Sequence, residues 1–352
     1  MLKDTITVYK PTIKRKDLEY VLQSMVLDKI NYGEFAKNFE KRLYERVQCF
    51  NTIVINSFQN AISITLDSLG VKEGDEVILP SFAPQVYLNT ILLKKLVPVL
   101  VDLEEGYFQP SFEGIRDAIT EKTKAIFLLY YFGYTYDPTP YYSLFPNIIE
   151  DITSVIGAKA NNIIVGSMSK YAIADFSIKG LITTGEGAAI FCNNKKSYYI
   201  TRSLLETDYS IEEYQPRYSS LMPDLNAAMG ISQDETLNHR LKLREAIAKF
   251  YEEAISKSRN SIIHSKENCE RFYSEFPIIV KSSLKDTIAF LKKNKIEAIR
   301  PYLYCLHHYL NLPKEDFPNT EYFYLHTLLI PIHSTLLKNE VTEITKILSC
   351  MI

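Results

Sequence analysis

The chain has no tryptophan, no paired cysteines, no excess of either charge and no long apolar run. Each absence excludes something. Cys49, Cys192, Cys269, Cys305 and Cys350 are odd in number and widely spaced, so neither a disulfide framework nor a zinc motif is expected. Forty basic residues against 42 acidic ones leave a net charge of −2, which removes the electrostatic case for nucleic acid or an anionic membrane surface. No segment approaches the roughly 18 apolar residues of a membrane span. Met1-Leu2-Lys3-Asp4-Thr5-Ile6 lacks the apolar core of a signal peptide. A cytoplasmic protein in a reducing compartment is the expectation. The histidines show no metal-ligand spacing, so no metal is expected. In the adjacent pair His307-His308 the side chains should diverge, leaving at most one to face a site. No glycine-rich dinucleotide fingerprint and no internal repeat is present.

What remains is an ordinary globular composition, 46% hydrophobic and 23% charged, over 352 residues, enough for two domains. The 25 tyrosines and 18 phenylalanines fit large clefts or subunit interfaces, or a plain compositional habit.

Strand and helix signals alternate through the first half. Residues 16–48 are expected to be helical with a break at Tyr32-Gly33. Strands follow at Val54-Ile55-Asn56, 76–80, 97–102, 125–131, 148–151 and 163–166, with helices at 60–69, 85–95 and 111–120 between them. Several strands are apolar throughout, the mark of a parallel sheet covered on both faces. Such sheets place their sites at the carboxyl ends of the strands. Asn56-Ser57, Pro80-Ser81-Phe82, Asp102, Gly133 and Asp151 stand there. A long helix over 236–258 and shorter elements up to a helix at 338–350 complete the chain. The expected division is a large α/β domain, 1–245, and a smaller α+β domain, 246–352.

Asp151 closes the run Asn147-Ile148-Ile149-Glu150-Asp151, and Lys170 and Lys179 follow it. A carboxylate at a strand end and an amine returning one βα unit later are what pyridoxal phosphate chemistry requires. The acid keeps the pyridine nitrogen protonated and the amine forms a Schiff base. An acid at a strand end is also a common helix cap or loop anchor. Ser57-Phe58-Gln59-Asn60, between a strand and a helix, offers backbone N–H groups to a phosphate, or is a plain N-cap. Phe176-Ser177-Ile178-Lys179-Gly180 leads into the small-residue turn Thr183-Thr184-Gly185-Glu186-Gly187, where backbone can approach a ligand closely. Lys170, in Ser167-Met168-Ser169-Lys170-Tyr171, competes with Lys179 for the amine role.

Read together, these segments resemble the DegT/DnrJ/EryC1/StrS family of pyridoxal-phosphate-dependent sugar aminotransferases, over nearly the whole chain. Gly74-Asp75-Glu76-Val77-Ile78-Leu79-Pro80-Ser81 is similar to the family's GDEVI-x-P-S run. Tyr32-Gly33…Phe39-Glu40, Asn89, Pro98 with Asp102, Ala118-Ile119-Thr120 with Lys122-Thr123-Lys124-Ala125-Ile126, and Gly133 follow in the family's order. So do Glu150-Asp151…Gly157-Ala158, Thr183 to Gly187, Met222-Pro223-Asp224-Leu225-Asn226-Ala227-Ala228-Met229-Gly230, Phe317-Pro318 and Leu329-Ile330-Pro331-Ile332-His333. The chain departs from the pattern at Ser57-Phe58-Gln59, where Ser-Gly-Thr is usual. It departs also at Ser154, where a larger Gln or His is usual, and at Ala188, which replaces a glycine. A one-residue shift brings Lys179 to the family's Schiff-base lysine. Lys170 is the alternative, similar to a Ser-x-x-Lys-aromatic version in some relatives. A dehydratase branch carries histidine instead, and none lies between Asp151 and His239.

The resemblance implies the fold-type-I architecture, a mostly parallel sheet flanked by helices. It implies pyridoxal 5′-phosphate held by Lys179 (or Lys170) and Asp151, with Ser57, Phe58, Gln59, Asn60, Phe82, Ser154 and Ser177 around it, and Ser219 reaching in from a partner subunit. Tyr32, Glu186, Tyr302 and His307 are the expected substrate contacts. The implied reaction moves an amino group, expected from glutamate, to a nucleotide-linked keto-deoxy sugar. A homodimer is implied. Loops near 28–35, 171–180, 205–220 and 300–310 would set specificity.

Overall fold

The computed structural model describes residues 5–205 and 216–351. The loop expected at 205–220 therefore lies largely outside the described residues. Two helices open the chain, α1 (Arg15–Val26) and α2 (Glu34–Val47), separated by the expected break at Tyr32-Gly33. The α/β unit then runs β1 (Asn51–Ile55), α3 (Phe58–Ser68), β2 (Glu76–Pro80), α4 (Gln85–Leu93), β3 (Val97–Val101), α5 (Phe112–Ala118), β4 (Thr123–Leu129), α6 (Thr139–Leu144) and β5 (Ile148–Asp151). A small hairpin, β6 (Lys159–Ala160) and β7 (Ile163–Ile164), interrupts it before β8 (Tyr171–Asp175), β9 (Ala188–Cys192) and α7 (Lys195–Ser203).

The seven-stranded sheet has the order β1-β9-β8-β5-β4-β2-β3. Its contiguous block β8-β5-β4-β2-β3 is parallel, and β9 runs antiparallel to both β1 and β8. Alternation along each strand splits the apolar residues between two faces. Ile53, Ile55, Leu79, Phe127, Ile149 and Ile173 belong to one buried cluster. Val54, Ile78, Ile126, Leu128, Ile148 and Ala172 belong to another. This double burial is why the strands are apolar at consecutive positions.

One expected strand is corrected. Ile163-Ile164 pairs only with Lys159-Ala160 in the hairpin, and the strand beside β5 is Tyr171–Asp175. A two-residue run closed by Asn161 and Asn162, both left-handed, is a turn rather than a sheet member.

The long helix α8 (Asp224–Ser256) begins earlier than its polar sequence suggests, and residue 245 lies inside it. Beyond it come β10 (Phe276–Ile279), α9 (Leu284–Lys293), α10 (Leu306–Tyr309), α11 (Pro318–His326), β11 (Thr327–Ile330) and α12 (Lys338–Ser349). Tyr251, Phe276, Ile278, Leu328, Ile330, Ile344 and Leu348 form a third cluster, which Ile6 joins from the N-terminal segment. Ile6 is stitched in by backbone bonds to Lys295 and Glu297, each 2.9 Å. Among the described residues no helix is long and apolar enough to cross a membrane. All five cysteines are free thiols.

Candidate active site

Asp151 ends β5 because the strand's alternation turns Glu150 to one face and Asp151 to the other. Glu150 accepts hydrogen bonds from the Tyr130 and Tyr142 hydroxyls at 2.6 and 2.7 Å, a closed structural arrangement. Asp151 faces a cleft. Its Oδ1 accepts from the Thr153 amide at 2.9 Å and from the Thr153 hydroxyl, and its Oδ2 accepts from the Tyr87 hydroxyl at 2.7 Å. Burial pushes the Asp151 pKa up, and these hydrogen bonds pull it back.

The cleft has a volume of about 430 Å³. Asp151, Thr153, Ser154, Asp175, Ser177 and Lys179 line it, with Phe58, Tyr131 and Tyr302 among its aromatic walls. Asp175 ends β8 as Asp151 ends β5, and the two strands are neighbours in parallel. It accepts from the Ser177 amide at 3.0 Å and the Ser177 hydroxyl at 2.6 Å. Burial raises its pKa, and the Asp151 and Glu186 charges act in the same direction. The Asp175 amide donates to the Thr153 hydroxyl at 2.9 Å, tying the two strand ends together.

The two lysines part company here. Lys179 follows the carboxyl end of β8, lines the cleft and stands 5.6 Å from the centre of the Tyr9 ring. Lys170 precedes the amino end of β8, and its Nζ donates to Asn147 Oδ1 at 2.9 Å, just before β5. It lies at the opposite edge of the sheet from Asp151 and does not line the cleft. Burial, then the Lys196 charge, lowers its pKa.

The other candidates divide similarly. Phe58, Ser154, Ser177 and Tyr302 line the cleft; Ser57, Gln59, Asn60 and Phe82 do not. Ser57 caps α3 by accepting from the Asn60 amide at 3.4 Å, and Asn60 Nδ2 donates to the Ser220 hydroxyl at 2.8 Å. Phe82 is fully buried and packs behind Tyr302, ring centres 4.9 Å apart. Ser154 donates to the Tyr130 carbonyl at 2.7 Å. Tyr32 accepts from Arg202 at 2.8 Å and donates to Glu40, away from the cleft. Glu186 and Ser219 are exposed.

His307 is corrected. Its side chain is wholly buried, with Nδ1 2.6 Å from the Ser81 hydroxyl and Nε2 2.8 Å from Glu321, so it cannot touch a ligand in the cleft. The expected divergence of the pair is corrected too. Both rings turn to the same Glu321 oxygen, their centres 4.1 Å apart. The short helix α10 permits this because the Cys305 amide donates to His308 Nδ1 at 3.2 Å and fixes that ring. The proton of His308 is then on Nε2, directed at Glu321, which makes the cluster a hydrogen-bonded brace rather than a set of free metal ligands.

Sequence reasoning missed Tyr9, Tyr87, Tyr131, Thr153, Asp175 and Glu275, all of which reach the cleft or Asp151. Only Asp175 left a signal, another acid closing a short apolar run. The residues present fit pyridoxal phosphate on observations of this cleft. A buried carboxylate and an amine share one space, and the Tyr131 hydroxyl is buried without a hydrogen-bond partner among the described residues.

The model of the DegT/DnrJ/EryC1/StrS aminotransferase family matches residues 11–349. The chain is 26% identical to the GDP-perosamine synthase of Escherichia coli O157:H7, over 86% of this chain and 85% of that protein. Spr1654 of Streptococcus pneumoniae, solved in its PMP form, superposes with a TM-score of 0.91 at 23% identity, covering 98% of this chain and 97% of that one. A mutant GDP-4-keto-6-deoxymannose-3-dehydratase with bound GDP-perosamine shares the fold, with a TM-score of 0.85 at 18% identity over 97% of this chain and all of that one. The protein belongs to the DegT/DnrJ/EryC1/StrS aminotransferase family, with the fold-type-I architecture and pyridoxal 5′-phosphate as its cofactor.

Proposed function

We propose that the protein transfers an amino group from glutamate to a nucleotide-linked keto-deoxy sugar, in the biosynthesis of an amino sugar for a surface polysaccharide or similar product. The observation that carries this reading is that Lys179 and Asp151 share the cleft while no histidine lines it. The first pair suits transamination, and a histidine would be needed for the dehydratase reading.

The cofactor supplies an electron sink for the donor's α-carbon. Asp151, once ionised, holds the proton on the ring nitrogen. The Lys179 amine would anchor the cofactor and, once released, its nitrogen would take the proton from the donor's α-carbon. Ser177, Ser154 and Phe58, which line the cleft, would contact the cofactor, and Phe82 supports Tyr302 from behind. Tyr131 and Tyr302 narrow the cleft and exclude water. We assign this part to residues 1–245 and the smaller unit to 246–352. A homodimer is supported by Leu18, Leu22 and Met25, spaced on one face of α1 and 60%, 59% and 54% exposed. Ser219 is then assigned to the site of the partner.

A second reading, a family member that binds nucleotide sugar without transamination, is favoured by one observation: Gln59 and Asn60 do not line the cleft, Asn60 being tied to Ser220. The test is incubation with pyridoxal phosphate, glutamate and a GDP-linked 4-keto-6-deoxyhexose. Formation of 2-oxoglutarate and an amino sugar of the matching mass supports transamination. Binding of the sugar nucleotide with neither product supports the second reading.

A further inference from the structure

The way Asp151 is held fixes which of its oxygens a ligand can use. Oδ1 takes two hydrogen bonds from Thr153, one from the amide at 2.9 Å and one from the hydroxyl, while Oδ2 takes one, from Tyr87 at 2.7 Å. Each oxygen of an ionised carboxyl offers two lone pairs. Among the described residues, Oδ1 is therefore filled and Oδ2 has one acceptor site left.

Thr153 does not act alone. The Ile152 amide donates to the Ile173 carbonyl at 2.9 Å, a rung of the ladder between β5 and β8. Two residues further along β8, the Asp175 amide donates at 2.9 Å to the Thr153 hydroxyl instead of to a carbonyl. That bond occupies the accepting side of the hydroxyl, so its single proton goes to Asp151 Oδ1. The branched Cβ of Thr153 restricts its χ1 and keeps the hydroxyl aimed. The Asp175 carboxylate in turn accepts from the Ser177 amide and hydroxyl, two residues before Lys179. One hydrogen-bonded chain thus runs from the acid at the end of β5 to the turn that leads to the lysine.

We propose that Thr153 is a positioning residue for Asp151: its hydroxyl, fixed by the Asp175 amide, keeps Oδ1 an acceptor and leaves Oδ2 as the oxygen that meets the cofactor's ring nitrogen. This rests on the reading of Asp151 as the partner of that nitrogen. Each donor favours the charged form of a carboxylate, and burial works against it. The Thr153 hydroxyl leads the groups that pull the Asp151 pKa down against burial, ahead of the Tyr87 hydroxyl and the Thr153 amide, and no cation is among them. The Asp151 charge also reaches Tyr87 from α4, Tyr131 after β4, Tyr302 and Asp175. Lys179 borders the same cleft and is exposed.

The test reads cofactor binding across pH rather than turnover. The affinity of the full-length protein for pyridoxal 5′-phosphate is measured by equilibrium dialysis over a pH series. Binding that needs the ionised acid weakens below the Asp151 pKa, so the acid limb of the profile reports that pKa. Thr153→Val, which keeps the shape and removes the hydroxyl, should move the acid limb up by about one pH unit, a roughly tenfold loss of affinity below it, and leave affinity well above it within about twofold. Thr153→Ser should restore most of the wild-type profile. Thr153→Ala carries the same expectation as Thr153→Val and serves should that variant not fold. A merely structural role would weaken binding equally at every pH; that result, or an unchanged profile, overturns the proposal. Asp151→Asn separates the two failures. An acid limb that persists in Asp151→Asn defeats the underlying reading of Asp151, whereas its loss there, with no shift in the Thr153 variants, defeats only the role of Thr153.

Discussion

Lys170 donates to Asn147 across the amino ends of β8 and β5, at 2.9 Å, while Asp151 stands at the other end of β5. The same strand pair thus separates Lys170 from the cleft that Lys179 borders. Lys170→Met should leave the visible absorbance of the lysine-linked cofactor intact and cost about 1 kcal/mol for the lost hydrogen bond, read as a small fall in melting temperature. Lys179→Ala should abolish that absorbance with little effect on folding.

Tyr87 is the hydroxyl that holds Asp151 Oδ2. Tyr87→Phe removes a hydrogen bond to a charged group and lets burial raise the Asp151 pKa further. Pairing with the protonated ring nitrogen needs the ionised acid. Cofactor affinity, measured by titration at neutral pH, should fall roughly tenfold, about 1.5 kcal/mol.

Glu40 gives the pH dependence. It is buried beside Tyr32, accepts from the Val54 amide at 3.1 Å, and its pKa is raised by burial from 4.5 to about 7. In the unfolded chain it loses its proton near its ordinary value; in the folded chain it keeps it to about 7. Its favourable contribution is therefore complete below the unfolded pKa and lost as pH rises through 7. Glu40→Gln should flatten this part of the stability–pH profile, by an amount on the order of 2–3 kcal/mol. Denaturant melts at pH 5 and pH 8 check it. A difference between the two pH values as large in the variant as in the wild type would contradict the assignment.

Gly133 closes the turn after β4 with φ at +87°, and a Cβ there would meet the Phe272 carbonyl oxygen at 1.1 Å. That carbonyl is backbone and cannot swing away. Gly133→Ala should therefore cost more than about 4 kcal/mol or prevent soluble folding, as read by circular dichroism and expression.

Much of this was legible in the amino-acid order. The apolar runs at β1 to β5 announced a sheet buried on both faces, and the acid closing β5 announced the site. β8 escaped because Tyr171-Ala172-Ile173-Ala174 is short and alanine-rich, and Ile163-Ile164 made a stronger apolar signal in a segment that only turns. With β8 misplaced, Asp175 lost its significance and the two lysines could not be separated. Register places them apart, since Asp151 pairs with Ile173 and so leaves Lys170 at the strands' amino ends. Tyr9, Tyr87 and Glu275 were invisible for another reason. They come from segments distant in sequence, and only tertiary packing brings a tyrosine from the N-terminal segment against a carboxylate before β10.

The central claim is that Lys179 holds the cofactor opposite Asp151. Reduction of the protein with borohydride in the presence of pyridoxal 5′-phosphate, followed by peptide mapping, tests it most directly. The account predicts the reduced cofactor on the peptide containing Lys179. Its appearance on Lys170, or on no lysine, would contradict it.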